Sequence, residues 1–294
     1  MGEHYLDTVG VGGSIPPVPT KPAPRGGGEG AGFGGVWQAL IALDRPGVDR
    51  MKQTHVVIPC YNESERLPRD ELSSFIDGNP WASIGFVNDG SSDDTSRVLR
   101  EFQGEHPGRI DVLDLRQNVG KGEAVRQGAL QSLEREYDLL AYLDADLATP
   151  AEALQDMFEG SRPEHRVIFG SRVQRAGAKI ERHASRHYFG RTFASLASLI
   201  LDISLYDTQC GAKLVARELV SDLFSEPFLT RWLFDLELLM RLRQLVGPEE
   251  FDRIVYEHPL DQWVEKGDSR VRLRDGLAVP YELLRIRRAF RARG

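Results

Sequence analysis

The chain has 294 residues, 41% of them hydrophobic, a net charge of -7 and two cysteines. That size and apolar content suit one α/β unit with a sizeable core, while the acidic balance argues against a nucleic-acid partner. Two cysteines, Cys60 and Cys210, build no disulfide framework and fit a reducing cytoplasm. No basic segment followed by an apolar stretch opens the chain, and no run approaches the ~20 apolar residues that span a bilayer, so neither a signal peptide nor a crossing helix is expected.

Residues 1–50 are rich in Gly and Pro from Gly10 to Gly35 and read as a flexible tail. Within them Val36–Leu43 fits either a short docking helix or an isolated amphipathic segment. From residue 51 to 275 strand and helix patterns alternate. Strands are predicted at His55–Pro59, Ile84–Val87, Ile110–Leu115, Leu139–Leu143 and Arg166–Phe169. Helices are predicted at Ser64–Asp77, Asp94–Gln103, Lys121–Glu136, Ser185–Leu201 and Thr230–Val246, with a basic helix over 276–294. Such alternation predicts βαβ units and a mostly parallel sheet flanked by helices, an α/β fold.

The predicted strands end in polar residues. His55–Pro59 leads to Tyr61-Asn62-Glu63, Ile84–Val87 to Asn88-Asp89-Gly90-Ser91, and Leu139–Leu143 to Asp144-Ala145-Asp146. In an open parallel sheet those ends line one crevice. Carboxylates on alternate residues at a strand's end can hold a divalent cation, and such a cation is a natural dock for a diphosphate. A dinucleotide-binding dehydrogenase would need a Gly-rich turn after the first strand, where Pro59, Tyr61, Asn62 and Glu63 stand instead. Gly120-Lys121-Gly122 lacks the pattern of a phosphate-loop NTPase.

The set Pro59–Glu63, Asn88–Ser91, Asn118–Gly122, Asp144–Leu147 and Asp207–Leu214 resembles glycosyltransferase family 2, with its GT-A fold, over about residues 52–275. Within that family it is most similar to the dolichyl-phosphate glucosyltransferase and polyprenyl-phosphate branch. The resemblance implies inverting transfer of glucose or a related hexose from a UDP-sugar, with Mg²⁺ or Mn²⁺ held by Asp144 and Asp146. Pro59, Tyr61, Glu63, Asp89, Lys121 and Asp144 would bind the donor, Asp89 through the imino group of uracil. Asn88 replaces the first Asp of the usual Asp-Asp-Gly-Ser, and Ala148 stands where related enzymes carry Gln.

Arg172, Arg186, Arg191 and Arg270 match positions that would hold an acceptor phosphate, a group for which guanidinium forks are suited. A phosphate acceptor is already anionic and needs little base, whereas a hydroxyl acceptor needs a positioned carboxylate. Asp235 and Glu237 are the candidates for that role, and Asp146 completes the catalytic set. Two acceptors therefore stay open: a polyprenyl phosphate met by a peripheral enzyme on the cytoplasmic membrane face, or a small-molecule or carrier-bound intermediate. His183 and His187 are spaced to share a helix face, but no third metal ligand is evident.

Overall fold

The structure is a computed structural model that describes residues 52–181, 200–201, 203, 205–266 and 273–291, without the side chains of 273–278. The expected tail, the Val36–Leu43 segment, most of the Ser185–Leu201 helix and His183 and His187 lie outside the described residues. In chain order the elements are β1 (Thr54–Cys60), α1 (Arg69–Gly78), β2 (Ala82–Asn88), α2 (Thr95–Glu105), β3 (Ile110–Asp114), α3 (Lys121–Ser132) and β4 (Leu139–Leu143). There follow α4 (Ala153–Glu159), β5 (Val167–Ser171), β6 (Lys179–Glu181), β7 (Ala212–Ala216), α5 (Arg217–Phe224) and α6 (Phe234–Val246). The last are α7 (Pro248–Ile254), β8 (Val255–Pro259), β9 (Gln262–Val264) and α8 (Leu273–Arg291).

Seven strands form one sheet in the order β3-β2-β1-β4-β7-β5-β8, and β6 pairs with β9 in a separate ribbon. Within the large sheet β7 is antiparallel to both neighbours, and the other pairings are parallel. The chain builds outward from β1 to β3 and then returns to β1's other side as β4. The resulting switch point lies between β1 and β4, where a crevice opens at the strands' carboxyl ends. Leu143 pairs with Ala212, so the start of β7 meets the end of β4 at that same edge.

Alternation along the strands fills both faces of the sheet. Val56 and Ile58 join Phe86, Leu72, Phe75, Leu99 and Phe102 in one core cluster beneath α1 and α2. Val57 and Val87 point the other way, against α3 at Gly128. A Cβ on Gly128 would lie 2.6 Å from Val57 Cγ1 and 2.7 Å from Val87 Cγ2, so the close seating of α3 depends on the missing side chain.

Several elements depart from the sequence expectations: α3 ends at Ser132 rather than Glu136, and α8 runs from Leu273 to Arg291 rather than over 276–294. Arg69 opens α1 five residues after Ser64, because Pro68 cannot donate into a helix and Arg66 and Leu67 instead donate to the Glu63 carbonyl. Phe234 opens α6 rather than Thr230, whose amide and hydroxyl are taken by the Glu237 carboxylate. Ala212–Ala216, expected only as part of a motif, is a buried central strand.

Gly128→Val should destabilise the fold by about 2 kcal/mol through overpacking. Gly104→Ala on α2, where nothing lies within 4 Å of the added carbon, should stabilise it by about 0.5 kcal/mol. Urea titration of both variants checks the pair.

Candidate active site

The loop after β1 is stitched to the loop after β2. Asn62 N–H donates to Ser91 Oγ at 2.9 Å, Ser92 N–H to Asn62 Oδ1 at 2.9 Å, and Glu63 N–H to Thr95 Oγ1 at 2.8 Å. Asn62 adopts φ 51°, a left-handed conformation that asparagine tolerates better than most residues. Pro59 and Tyr61 are half-buried beside this seam, and Glu63 pairs with Arg66 at 3.0 Å.

At the end of β2 the Asn88 amide donates to Asp114 Oδ1 at 2.8 Å, while its oxygen receives Ser91 N–H at 3.1 Å. An aspartate there would face the Asp114 carboxylate, so the local pairing accounts for the amide. Asp89 is 3% exposed, and burial raises its carboxyl above the usual range. Its oxygens accept Val119 N–H at 2.7 Å, Gly120 N–H at 2.9 Å and the Asn118 amide at 3.0 Å. Asp89 thereby folds the turn that opens α3 and sets the backbone of Lys121.

Lys121 reaches from the first turn of α3 to Asp144 and pairs with its Oδ1. Burial would lower the ammonium, but the charges of Asp144 and Asp235 outweigh it and hold Lys121 raised. Behind Lys121, Gly122 lets α3 touch Phe234 at the start of α6.

The carboxylate pair occupies a tight turn closed by Leu147 N–H donating to the Asp144 carbonyl at 3.0 Å. Leu147 sits at φ 48°, an uncommon conformation for a side chain of its size and a small store of strain at the site. Asp146 Oδ1 receives Ala148 N–H at 3.0 Å, and burial followed by the neighbouring Asp144 charge raises its carboxyl. Gly211 packs on the Asp144 carboxylate, leaving no room for a Cβ. Among the described residues no group of three or more His, Cys, Asp or Glu is gathered to hold a metal ion. Two oxygen donors at one turn nonetheless suit a hard cation that completes its shell with water and substrate phosphates.

Behind this edge lies a buried ion pair. Lys213 on β7 is 0% exposed and sits 2.9 Å from Asp235 Oδ1, with its ammonium 4.8 Å from the ring centres of both Tyr142 and Phe169. It also donates to the Cys210 carbonyl, and the Tyr142 hydroxyl donates to Asp235 Oδ1. Burial pushes Lys213 down to about 7 and raises Asp235 well above the carboxylate range. Burial is the largest cause of both shifts, and at 2.9 Å the two groups stand within direct pairing distance. Asp235 thus holds β4 and β7 to the first turn of α6, where a helix amino terminus favours a carboxylate. Glu237 turns elsewhere: 0% exposed, it accepts Leu229 N–H at 2.6 Å and the Thr230 amide and hydroxyl, each at 2.7 Å. Lys213 was legible in the sequence only as a lysine inside the apolar run Ala212-Lys213-Leu214-Val215.

On the β5 side, Arg172 is clasped by Asp207. Nε lies 2.6 Å from Oδ2, Nη2 lies 2.7 Å from Oδ1, and Arg172 N–H donates to Oδ2 at 3.0 Å. Its guanidinium stands 5.3 Å from the Trp263 ring centre. Asp207 is fixed in turn by Glu257, whose Oε1 accepts Asp207 N–H at 2.6 Å. Ser171 Oγ, Thr208 Oγ1, Gln209 Nε2 and Thr149 Oγ1 are buried without a hydrogen-bond partner, hydrogen-bonding capacity unspent near the Arg172 clasp and the carboxylate turn. Arg186, Arg191 and Arg270 lie outside the described residues.

The glycosyl transferase family 2 model matches residues 55–224, which takes in every strand end described above except those of β8 and β9. The chain belongs to glycosyl transferase family 2. Within the family it is similar to a dolichyl-phosphate beta-glucosyltransferase of Trichomonas vaginalis, 33% identical over 81% of this chain and 72% of the relative. The mouse dolichyl-phosphate beta-glucosyltransferase is 38% identical over 64% of this chain, which spans 62% of that relative's length. Glucosyl-3-phosphoglycerate synthase from Mycobacterium tuberculosis, solved with Mn²⁺, UDP and phosphoglyceric acid, matches 84% of both chains at TM-score 0.58 and 18% identity, and so shares the GT-A fold. As a member of this family the chain is a nucleotide-sugar glycosyltransferase.

Lys213→Met should cost the transferase about 3 to 5 kcal/mol by stranding the Asp235 carboxyl, and Lys213→Met with Asp235→Asn should recover most of that loss. Urea unfolding of the single and double variants tests the coupling.

Proposed function

We propose that this chain transfers glucose, with inversion, from UDP-glucose to the phosphate of a polyprenyl phosphate. The observation that carries the reading is the acidic turn Asp144-Ala145-Asp146 at the end of β4, met by the Lys121 ammonium. Support for the donor and acceptor comes from the relatives named dolichyl-phosphate beta-glucosyltransferase and from the UDP and Mn²⁺ bound by the structural neighbour.

Asp144 and Asp146 would hold Mg²⁺ or Mn²⁺, which supplies charge neutralisation at the departing UDP. Lys121 carries a second positive charge on a flexible stem, able to leave Asp144 for a diphosphate oxygen. Pro59, Tyr61 and Glu63 frame the nucleoside next to Asp89, which has one of its acceptor positions left for a base N–H once the Asn118–Gly120 turn has taken its share. On the acceptor side, Asp207 occupies the Nε–Nη2 edge of Arg172 and leaves Nη1 for the incoming phosphate. That phosphate attacks the anomeric carbon as an anion, so no proton has to be removed. Asp235 and Glu237 then serve as supports: one carries Lys213 and Tyr142, the other clasps the loop at Leu229 and Thr230.

Asp144→Asn and Asp146→Asn should each lower glucosyl transfer at least about 100-fold, since the charge they anchor is worth several kcal/mol in the transition state. The assay supplies UDP-glucose, Mn²⁺ and a short-chain polyprenyl phosphate, and measures UDP and glucosyl lipid in equal amounts. Glucose appearing on a hydroxyl acceptor but never on the phosphate would overturn the reading, as would wild-type rates in both variants.

A further inference from the structure

The carboxyl-terminal helix α8 is fixed to the domain by one face only. Leu283, Ile286 and Phe290, spaced three and four apart, are buried, and the Gln244 side chain on α6 donates to the Phe290 carbonyl at 2.7 Å. The opposite stripe carries Tyr281, 69% exposed, Leu284, 42% exposed, and the exposed Arg285, Arg288 and Arg291. Tyr281 and Leu284 are two of the five exposed large hydrophobic side chains among the described residues.

The outward tyrosine and leucine stand on the same face as three arginines. Rings with a polar tip and long cationic stems suit the boundary between headgroups and acyl chains, where the stem lies along apolar surface and the charge stays wet. The chain as a whole carries a charge of -7, so an anionic surface would repel most of it and attract this stripe. Gln244 follows Asp235 by nine residues on α6, which puts the α8 contact roughly 14 Å along the helix from the Lys213–Asp235 pair.

We propose that the outward face of α8 docks the enzyme on an anionic lipid bilayer, with Tyr281 and Leu284 entering the interface and Arg285, Arg288 and Arg291 meeting lipid phosphates. Docking this close to the site would bring the acceptor edge within reach of a phosphate carried by the membrane, a benefit that rests on the acceptor proposed above. Among the described residues no helix is long and apolar enough to cross a membrane, so the attachment assigned here is superficial and salt-sensitive.

The full chain is tested by flotation with phosphatidylcholine vesicles with and without phosphatidylglycerol, at low and high salt. The wild type should float only with the anionic vesicles and only at low salt, and Arg285→Gln/Arg288→Gln/Arg291→Gln should bind them about 100-fold more weakly. Tyr281→Ala/Leu284→Ala should also bind more weakly while staying in the same oligomeric state. Equal binding by the wild type and the arginine variant, or binding to neutral vesicles, overturns the proposal. So does a change of oligomeric state in the Tyr281/Leu284 variant, which would make the face a contact between copies. Transfer to a short-chain polyprenyl phosphate in detergent separates the two readings. Transfer without vesicle binding removes the surface and leaves the acceptor, whereas vesicle binding without transfer removes the acceptor and leaves the surface.

Discussion

The constraint on which the rest of this structure depends is the crowding of carboxyl groups at one edge of the sheet. Asp144, Asp146 and Asp235 gather around the end of β4, and two ammonium groups, Lys121 and Lys213, hold them there. The two lysines do so under different conditions. Lys121 sits at the mouth with a flexible stem, so its pairing with Asp144 is exchangeable. Lys213 is sealed between Tyr142 and Phe169, where separating the pair would leave a bare charge in a low-dielectric interior. The outer pair can therefore yield to a ligand while the inner one keeps the frame.

The loops around that edge are held by hydrogen bonds from side chain to backbone. Asp89 folds the turn before Lys121, Glu237 shapes the loop before α6, Asp207 orients Arg172, and Glu257 fixes Asp207. Glu237, Asp207 and Glu257 are taken up by backbone N–H groups, the Thr230 hydroxyl and the Arg172 guanidinium, whereas Asp89 keeps one acceptor position beyond the Asn118–Gly120 turn. Four buried polar groups with capacity in hand, Ser171, Thr208, Gln209 and Thr149, lie near the Arg172 clasp and the carboxylate turn. Two non-glycine residues in left-handed conformations, Asn62 and Leu147, stand at the same edge, where tight turns aim backbone and carboxylates at the crevice.

Much of the fold was legible because alternation of short apolar runs with helical patterns has few solutions, and the first four strands fall where the apolar runs stand. The strand β7 was hidden for a physical reason. It is buried along its whole length on both faces of the sheet and so shows no alternation, and it carries a lysine whose burial becomes tolerable only when Asp235, distant in sequence, arrives beside it. The start of α6 was misplaced because the Thr230 amide is claimed by a side chain seven residues ahead, a contact no local propensity encodes.

By itself the sequence determined that polar residues end the strands, that two carboxylates stand one residue apart after Leu143, and that the chain resembles a transferase family. These are local facts: residue type and spacing set where strands stop and which atoms they present. Tertiary structure alone decided which carboxylates stand at the open turn after β4 and which are taken up by buried donors. A carboxylate's role depends on the donors that surround it, and Lys213, Thr230 and Arg172 reach Asp235, Glu237 and Asp207 only once the sheet and helices have closed.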